Sequence, residues 1–292
     1  MRLPSLLAVC LLGCIPFVPP ASAEEKPKPR PVVSATETNL PYYEGEALAK
    51  ADAYQKETCK LDIAYPTDVP GFATLIWFHG GGLTEGARYF PDIKDRGIAV
   101  VAVSYRLSPQ APLPSFLDDA AASTAWVLRH IEKYGGDPRK VFVSGHSAGG
   151  YLAAMIGMDP RWLAKNGISN RQLAGILPVS AQVTTHFHVK KLRGDTGESL
   201  RPVIDEYAPL YYAAKDLPPI CLITGDRRVE FKSRVEENDL LAATLRNLGH
   251  PRVEFYEMGG LDHGSVVRGA AILLPKLIER LSKQTAAAPA GT

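Results

Sequence analysis

The feature that most constrains this chain is an alternation: short apolar runs rich in Val, Ile, Leu and Ala are separated by segments with apolar positions three and four residues apart. A strand covered on both faces must be apolar almost throughout, whereas a helix lying on a sheet needs only a stripe. Repeated alternation of the two predicts a mostly parallel central sheet with helices on both faces. The predicted strands are Cys59–Tyr65, Thr74–Phe78, Ile98–Tyr105, Val141–Ser144, Gly175–Pro178, Ile220–Thr224 and Val253–Glu257. A helix follows Ser115, where Ser115 and Asp118 resemble a capping box; others are expected over Ala148–Met158, Glu236–Leu248 and Ala270–Leu281. Sheets of this kind carry their sites where the carboxyl ends of strands meet loops.

At 292 residues, with 46% hydrophobic and 22% charged residues, the chain fits one domain with one large core. A net charge of +2, without clustering of Lys and Arg, gives no footprint for nucleic acid or an anionic membrane. Residues 1–23 read as a signal peptide: Arg2, an apolar run from Leu3, and Ala21-Ser22-Ala23 as the cleavage site. The run is shorter than the roughly 20 residues of a spanning helix and is interrupted by Pro16, Pro19 and Pro20, so no integral membrane span is expected after cleavage and the mature protein is exported. Leu11-Leu12-Gly13-Cys14 resembles a lipoprotein processing site and offers a tethered alternative. Residues 24–40 are expected to be a linker, 41–283 the folded domain and 284–292 a disordered tail. Cys10 and Cys14 leave with the signal. Cys59 and Cys221 lie in strand-like runs and read as small buried hydrophobes, and neither has zinc-site spacing.

Val141–Ser144 runs into Gly145-His146-Ser147-Ala148-Gly149-Gly150 and then an Ala-rich helical segment. A strand-to-helix turn flanked by glycines lifts a serine hydroxyl clear of its surroundings, and marks Ser147 as a nucleophile. The Ala148 amide would lie at the helix start, aimed at an oxyanion. Thr74–Phe78 ends in His79-Gly80-Gly81-Gly82, whose bare backbone makes Gly81 and Gly82 the other oxyanion donors, with His79 bracing the loop. The base is expected to be His263, in the glycine-rich loop after Val253–Glu257. His146 reads as packing or pocket lining, His130 and His250 as surface residues, and His186 and His188 as lid or wall contacts, because no further ligand has metal spacing. The acid that orients His263 belongs in Gly225-Asp226-Arg227-Arg228-Val229-Glu230. Asp226 and Glu230 are both available, and Asp226 is favoured as nearer the strand end.

Together, His79–Gly82, Tyr105-Arg106-Leu107-Ser108-Pro109, Gly145–Gly150 and Asp262-His263-Gly264 resemble the carboxylesterase, feruloyl-esterase-like and arylformamidase-like branch of the α/β-hydrolases, over about Cys59 to Leu281. The resemblance implies the α/β-hydrolase fold, hydrolysis of esters of small or carbohydrate-linked acids, a small-molecule ester as the partner, and no cofactor. It departs at Arg228, which stands where many relatives carry the catalytic carboxylate. Residues Gln182–Tyr212, with His186, Phe187, Tyr207, Tyr211 and Tyr212, are placed to cover the site as a small lid-like insertion, though the aromatics read equally well as ordinary core contacts. The rival readings are a peptidase or amidase using the same groups, and a non-catalytic binding protein that keeps the fold.

Overall fold

In a computed structural model, which describes residues 33–287, eight strands form one sheet. They are β1 (Ser34–Pro41), β2 (Lys60–Pro66), β3 (Phe72–Phe78), β4 (Ala99–Val103), β5 (Gly136–His146), β6 (Gly175–Val179), β7 (Ile220–Thr224) and β8 (Val253–Glu257), in the spatial order β1-β2-β4-β3-β5-β6-β7-β8. β1 and β2 pair antiparallel, as do β2 and β4; from β4 onward all neighbours are parallel. The helices are α1 (Gly45–Lys50), α2 (Ala53–Thr58), α3 (Ser115–His130), α4 (Ala148–Met158), α5 (Pro160–Ala164), α6 (Phe187–Leu192), α7 (Arg234–Asn247) and α8 (Val266–Ala287).

The apolar strand runs exist because the sheet has a core on each face. Along β3, Ile76 and Phe78 point into a cluster with Phe116, Tyr151 and Leu152 from α3 and α4, while Leu75 and Trp77 point into another with Ala270, Leu274 and Ile278 from α8. β7 divides the same way: Ile220 and Leu222 face one core, Cys221 and Ile223 the other. This period of two, apolar on both sides, is what a strand covered above and below requires. Cys59 and Cys221 are buried free thiols.

The structure corrects several expectations. The segment 24–40 is not linker throughout, because Ser34–Pro41 forms β1, whose polar side chains are tolerated at an exposed edge. Ser115 is the first residue inside α3 and caps nothing; Pro114 precedes the helix, and Asp118 pairs with Lys165. α8 continues to Ala287, into the segment expected to be a tail. His250 is buried, with its ring against the Leu217 carbonyl at 3.0 Å. The expected signal segment 1–23, with Cys10 and Cys14, and residues 288–292 lie outside the described residues. No described helix is long and apolar enough to cross a membrane.

Candidate active site

β5 ends at His146, and α4 begins at Ala148, so the whole turn is made at Ser147. Its backbone adopts φ 56° and ψ −115°, a conformation that costs a non-glycine residue of order 1–3 kcal/mol. The turn is held from both sides: the Ser147 amide donates to the Val179 carbonyl at 2.9 Å, and its carbonyl accepts from the Tyr151 amide at 2.9 Å. A Cβ on Gly149 would stand 2.0 Å from the Phe78 carbonyl oxygen, and one on Gly145 2.6 Å from the same atom. The two glycines therefore let the turn press against the end of β3, where the His79–Gly82 loop begins. Gly149→Ala is expected to lower stability by about 1–3 kcal/mol or more, because the opposing group is strand backbone that cannot rotate away; urea denaturation followed by circular dichroism measures it.

The loop after β3 is braced as the sequence suggests. His79 places Nδ1 2.7 Å from the Gly80 carbonyl and stacks on Tyr105 at 4.3 Å, and the Tyr105 hydroxyl donates to the His79 carbonyl at 2.8 Å. Tyr105 is fixed in turn by its neighbour, since Arg106 makes a fork of hydrogen bonds to the fully buried Asp119, which also accepts from the Tyr43 hydroxyl. Gly81 turns at φ 102° and Gly82 at φ 62°; the Gly81 carbonyl is taken by the Thr84 and Glu85 amides, both at 3.0 Å. Gly81 and Gly82 line a cavity of about 420 Å³ together with Ser147, His146, His263, Phe187, Leu200, Phe231 and Arg234.

In this cavity His263 Nε2 lies 2.9 Å from Ser147 Oγ, and His263 Nδ1 lies 2.6 Å from Glu230 Oε1. Asp226, the favoured partner of His263, is not in contact with it. Its carboxylate accepts from Arg228 and from the Gly260 amide at 2.7 Å, an arrangement that braces the loop leading to His263. The Glu230 amide donates to the Asp226 carbonyl at 2.8 Å, and that turn carries the longer glutamate side chain back over the end of β7. There Glu230 also accepts from Ser180 Oγ at 2.6 Å, from the Gly225 amide at 3.1 Å and from the Phe231 amide at 2.9 Å. Burial by itself would raise the Glu230 pKa; the hydrogen bonds from His263, Ser180 and Phe231 outweigh it and hold the carboxyl down to about 2. The expected base and nucleophile are thus brought together, and the carboxylate beside them is the second candidate. Ser180 and the Gly225 amide escaped the sequence reading, although Ser180 stands just past the carboxyl end of β6, where such groups belong.

His79, His146 and His186 are structural. His146 sets its ring 4.7 Å from His263 and its Nε2 2.7 Å from the His263 carbonyl, fixing the loop that carries that residue. Burial pushes His79 and His146 down to about 4, with the charge of His263 adding to the effect at His146. Above pH 6.5 these rings are neutral in folded and unfolded chains alike; as the pH falls toward 4 the unfolded chain binds protons that the folded one refuses. Stability is therefore lost through that window, by about 3 kcal/mol for His79 alone. Thermal melts at pH 7 and pH 4.5 check the direction and the size. His186 is buried against Tyr151 and Phe187, and no group of His, Cys, Asp and Glu among the described residues is arranged to hold a metal.

Of the expected lid aromatics, only Phe187, at the start of α6, lines the cavity, together with Leu200 from the same insertion. Tyr207 packs against the core and Tyr211 is exposed. A larger cavity of about 620 Å³, lined by Pro138, Arg171, Pro218 and Arg252, lies at the amino ends of β5 to β8. It is lined by no serine, cysteine or histidine, and stands at the end of the sheet where such folds do not place reactive groups.

A family profile described as the alpha/beta hydrolase fold matches residues 75–267. The chain belongs to this family. It is 33% identical over 141 residues to Lipase 2 of Moraxella sp. (strain TA144), covering 42% of this chain and 30% of that protein. It is 26% identical over 213 residues to Esterase LipC of Mycobacterium tuberculosis, covering 67% of this chain and 51% of that one. The chain thus spans between about a third and a half of these relatives. Among solved structures it resembles Thermogutta terrifontis esterase 2 phosphonylated by sarin, with a TM-score of 0.67 and 21% identity over 84% of this chain and 95% of that one. It is equally similar in fold to a truncated carbohydrate esterase from gut microbiota, with a TM-score of 0.67 and 17% identity over 88% and 99%.

Proposed function

We propose that this chain is a serine hydrolase that cleaves carboxylic esters of small or carbohydrate-linked acids through an acyl-enzyme on Ser147. The observation that carries the reading is the continuous hydrogen-bonded chain from Glu230 through His263 to Ser147, opening into a cavity rimmed by Gly81 and Gly82. Ser147 Oγ attacks the ester carbonyl while His263 Nε2 takes its proton. Glu230 holds the opposite ring nitrogen as the proton donor and stabilises the imidazolium. The carbonyl oxygen becomes an oxyanion that accepts from the amides of Gly81, Gly82 and Ala148; His263 then protonates the departing alcohol as the tetrahedral intermediate collapses. Water, deprotonated by His263, attacks the acyl-enzyme, releases the acid and restores Ser147. The esterases and lipases among the relatives support this chemistry. Turnover of 4-nitrophenyl butyrate, stoichiometric labelling of Ser147 by a fluorophosphonate and inertness toward aminoacyl amides are the expected results. A folded protein that neither labels nor turns over any ester overturns the reading.

We propose also that residues 1–23 direct export and are removed near Glu24, as their charged start, apolar run and small-residue site support. Mass spectrometry of the exported chain tests this; an intact Met1 or a lipid on Cys14 contradicts it.

A further inference from the structure

The mechanism leaves one buried charged group in the cavity without a task. Arg234, the first residue of α7, lines the same cavity as Ser147 and His263, yet is only 5% exposed. Its Nε and Nη1 are buried and have no hydrogen-bond partner. The carboxylates that act on it are Glu237 and Glu230, and both are engaged elsewhere. Glu237 accepts from the Val183 and Thr184 amides at 3.2 and 3.3 Å; Glu230 is held by His263 and Ser180. Burial pushes the guanidinium down from its ordinary value, but an arginine that starts so high stays charged at neutral pH. A buried guanidinium with two nitrogens that no acceptor takes is unfavourable, and proteins seldom keep one unless a ligand completes it.

Phe187, Leu200 and Phe231 line the same cavity and offer a ligand contact but no charge. The one carboxylate among the residues lining the cavity belongs to Glu85, which is exposed. A planar guanidinium matches a carboxylate in shape and compensates a single negative charge; a phosphate dianion would leave charge uncompensated against those apolar walls.

We propose that Arg234 is the specificity determinant of the cavity, and that the natural substrate is an ester bearing a carboxylate that pairs with it. The inference rests on the acyl-transfer reading above and adds the substrate class. Whether the carboxylate belongs to the acyl part, as in a dicarboxylic monoester, or to the alcohol part, the chemistry at Arg234 is the same.

The test compares kcat/KM of the full chain on charged esters and their neutral isosteres. Monoethyl glutarate against ethyl 5-methylhexanoate probes the acyl side; 3-acetoxypropionate against isopentyl acetate probes the alcohol side. In the wild type one of the two charged esters is preferred over its isostere by about tenfold or more, and Arg234→Met lowers that ratio by about thirtyfold, the lower range for removing one partner of a buried charge pair. Arg234→Lys, which keeps the charge without the fork, gives an intermediate ratio and serves if the methionine variant does not fold. Calorimetric titration with glutarate, bound by the wild type and not by Arg234→Met, reads the site without turnover. Ratios at or below one in both arms, or a ratio unmoved by Arg234→Met, overturn the proposal. Failure of the acyl-transfer reading looks different, because no ester is cleaved and Ser147 does not label; the glutarate titration then still decides for or against Arg234.

Discussion

Ser147→Ala is expected to lower kcat for 4-nitrophenyl butyrate by about 10⁶-fold, with KM changing little and the melting temperature unchanged or raised. The size follows from how the site divides its work. In the proposed mechanism, removing the hydroxyl ends covalent catalysis but leaves the glycine-rich loop, the Ala148 amide and the cavity walls to bind the substrate and polarise its carbonyl. A residual rate of about 10³–10⁴ over water is thus consistent with the loss of the nucleophile alone. The direction of the stability change follows from the backbone: the residue at 147 sits at φ 56° because the turn forces it there, not because its hydroxyl holds it. The backbone hydrogen bonds to Val179 and Tyr151 survive the change to alanine. Stopped assays against the purified variant, with fluorophosphonate labelling as the control for contaminating enzyme, measure the loss; a fall of less than about 10²-fold would place the nucleophile elsewhere.

What the sequence discloses about this fold depends on where each element lies. Strands β3 to β7 are covered on both faces, so their composition is dictated residue by residue, and they are recognisable as apolar runs. β1 escapes for the opposite reason: Ser34–Pro41 is an edge strand whose outward residues meet water, so nothing in SATETNLP distinguishes it from a linker. The turn at Ser147 and the loop at Gly81 and Gly82 are legible because both need a local backbone that few residues permit, and glycines mark the places. Glu230, Ser180 and Arg234 are not legible in that way. Their roles depend on how a turn after β7 folds back over its own strand, and on which charges the rest of the chain leaves unpaired. A glutamate with a free choice of partners and one clamped by Ser180, Gly225 and Phe231 look alike in a sequence.

That difference between local and assembled information makes the two carboxylates separable by experiment. Glu230→Gln is expected to lower kcat/KM for 4-nitrophenyl butyrate by about 10⁴-fold, because a neutral amide can no longer hold the His263 tautomer that accepts from Ser147 or stabilise the imidazolium. Asp226→Asn is expected to cost about fivefold or less, since it weakens an ion pair with an Arg228 that is 79% exposed, and pairs of that kind contribute about 1 kcal/mol at most. Glu230→Asp separates charge from reach. It keeps the carboxylate but withdraws it by one methylene from a contact made at 2.6 Å, and a loss nearer that of glutamine than of wild type is expected. Acid does not imitate these variants: with the Glu230 carboxyl held down to about 2, the group stays ionised at pH 4. Initial rates for the three variants at pH 7.5, with melting temperatures to set aside unfolded protein, decide the assignment. If Asp226→Asn is the crippled variant and Glu230→Gln is nearly unaffected, the hydrogen bond between Glu230 and His263 is not the one the reaction uses, and the mechanism fails at that step.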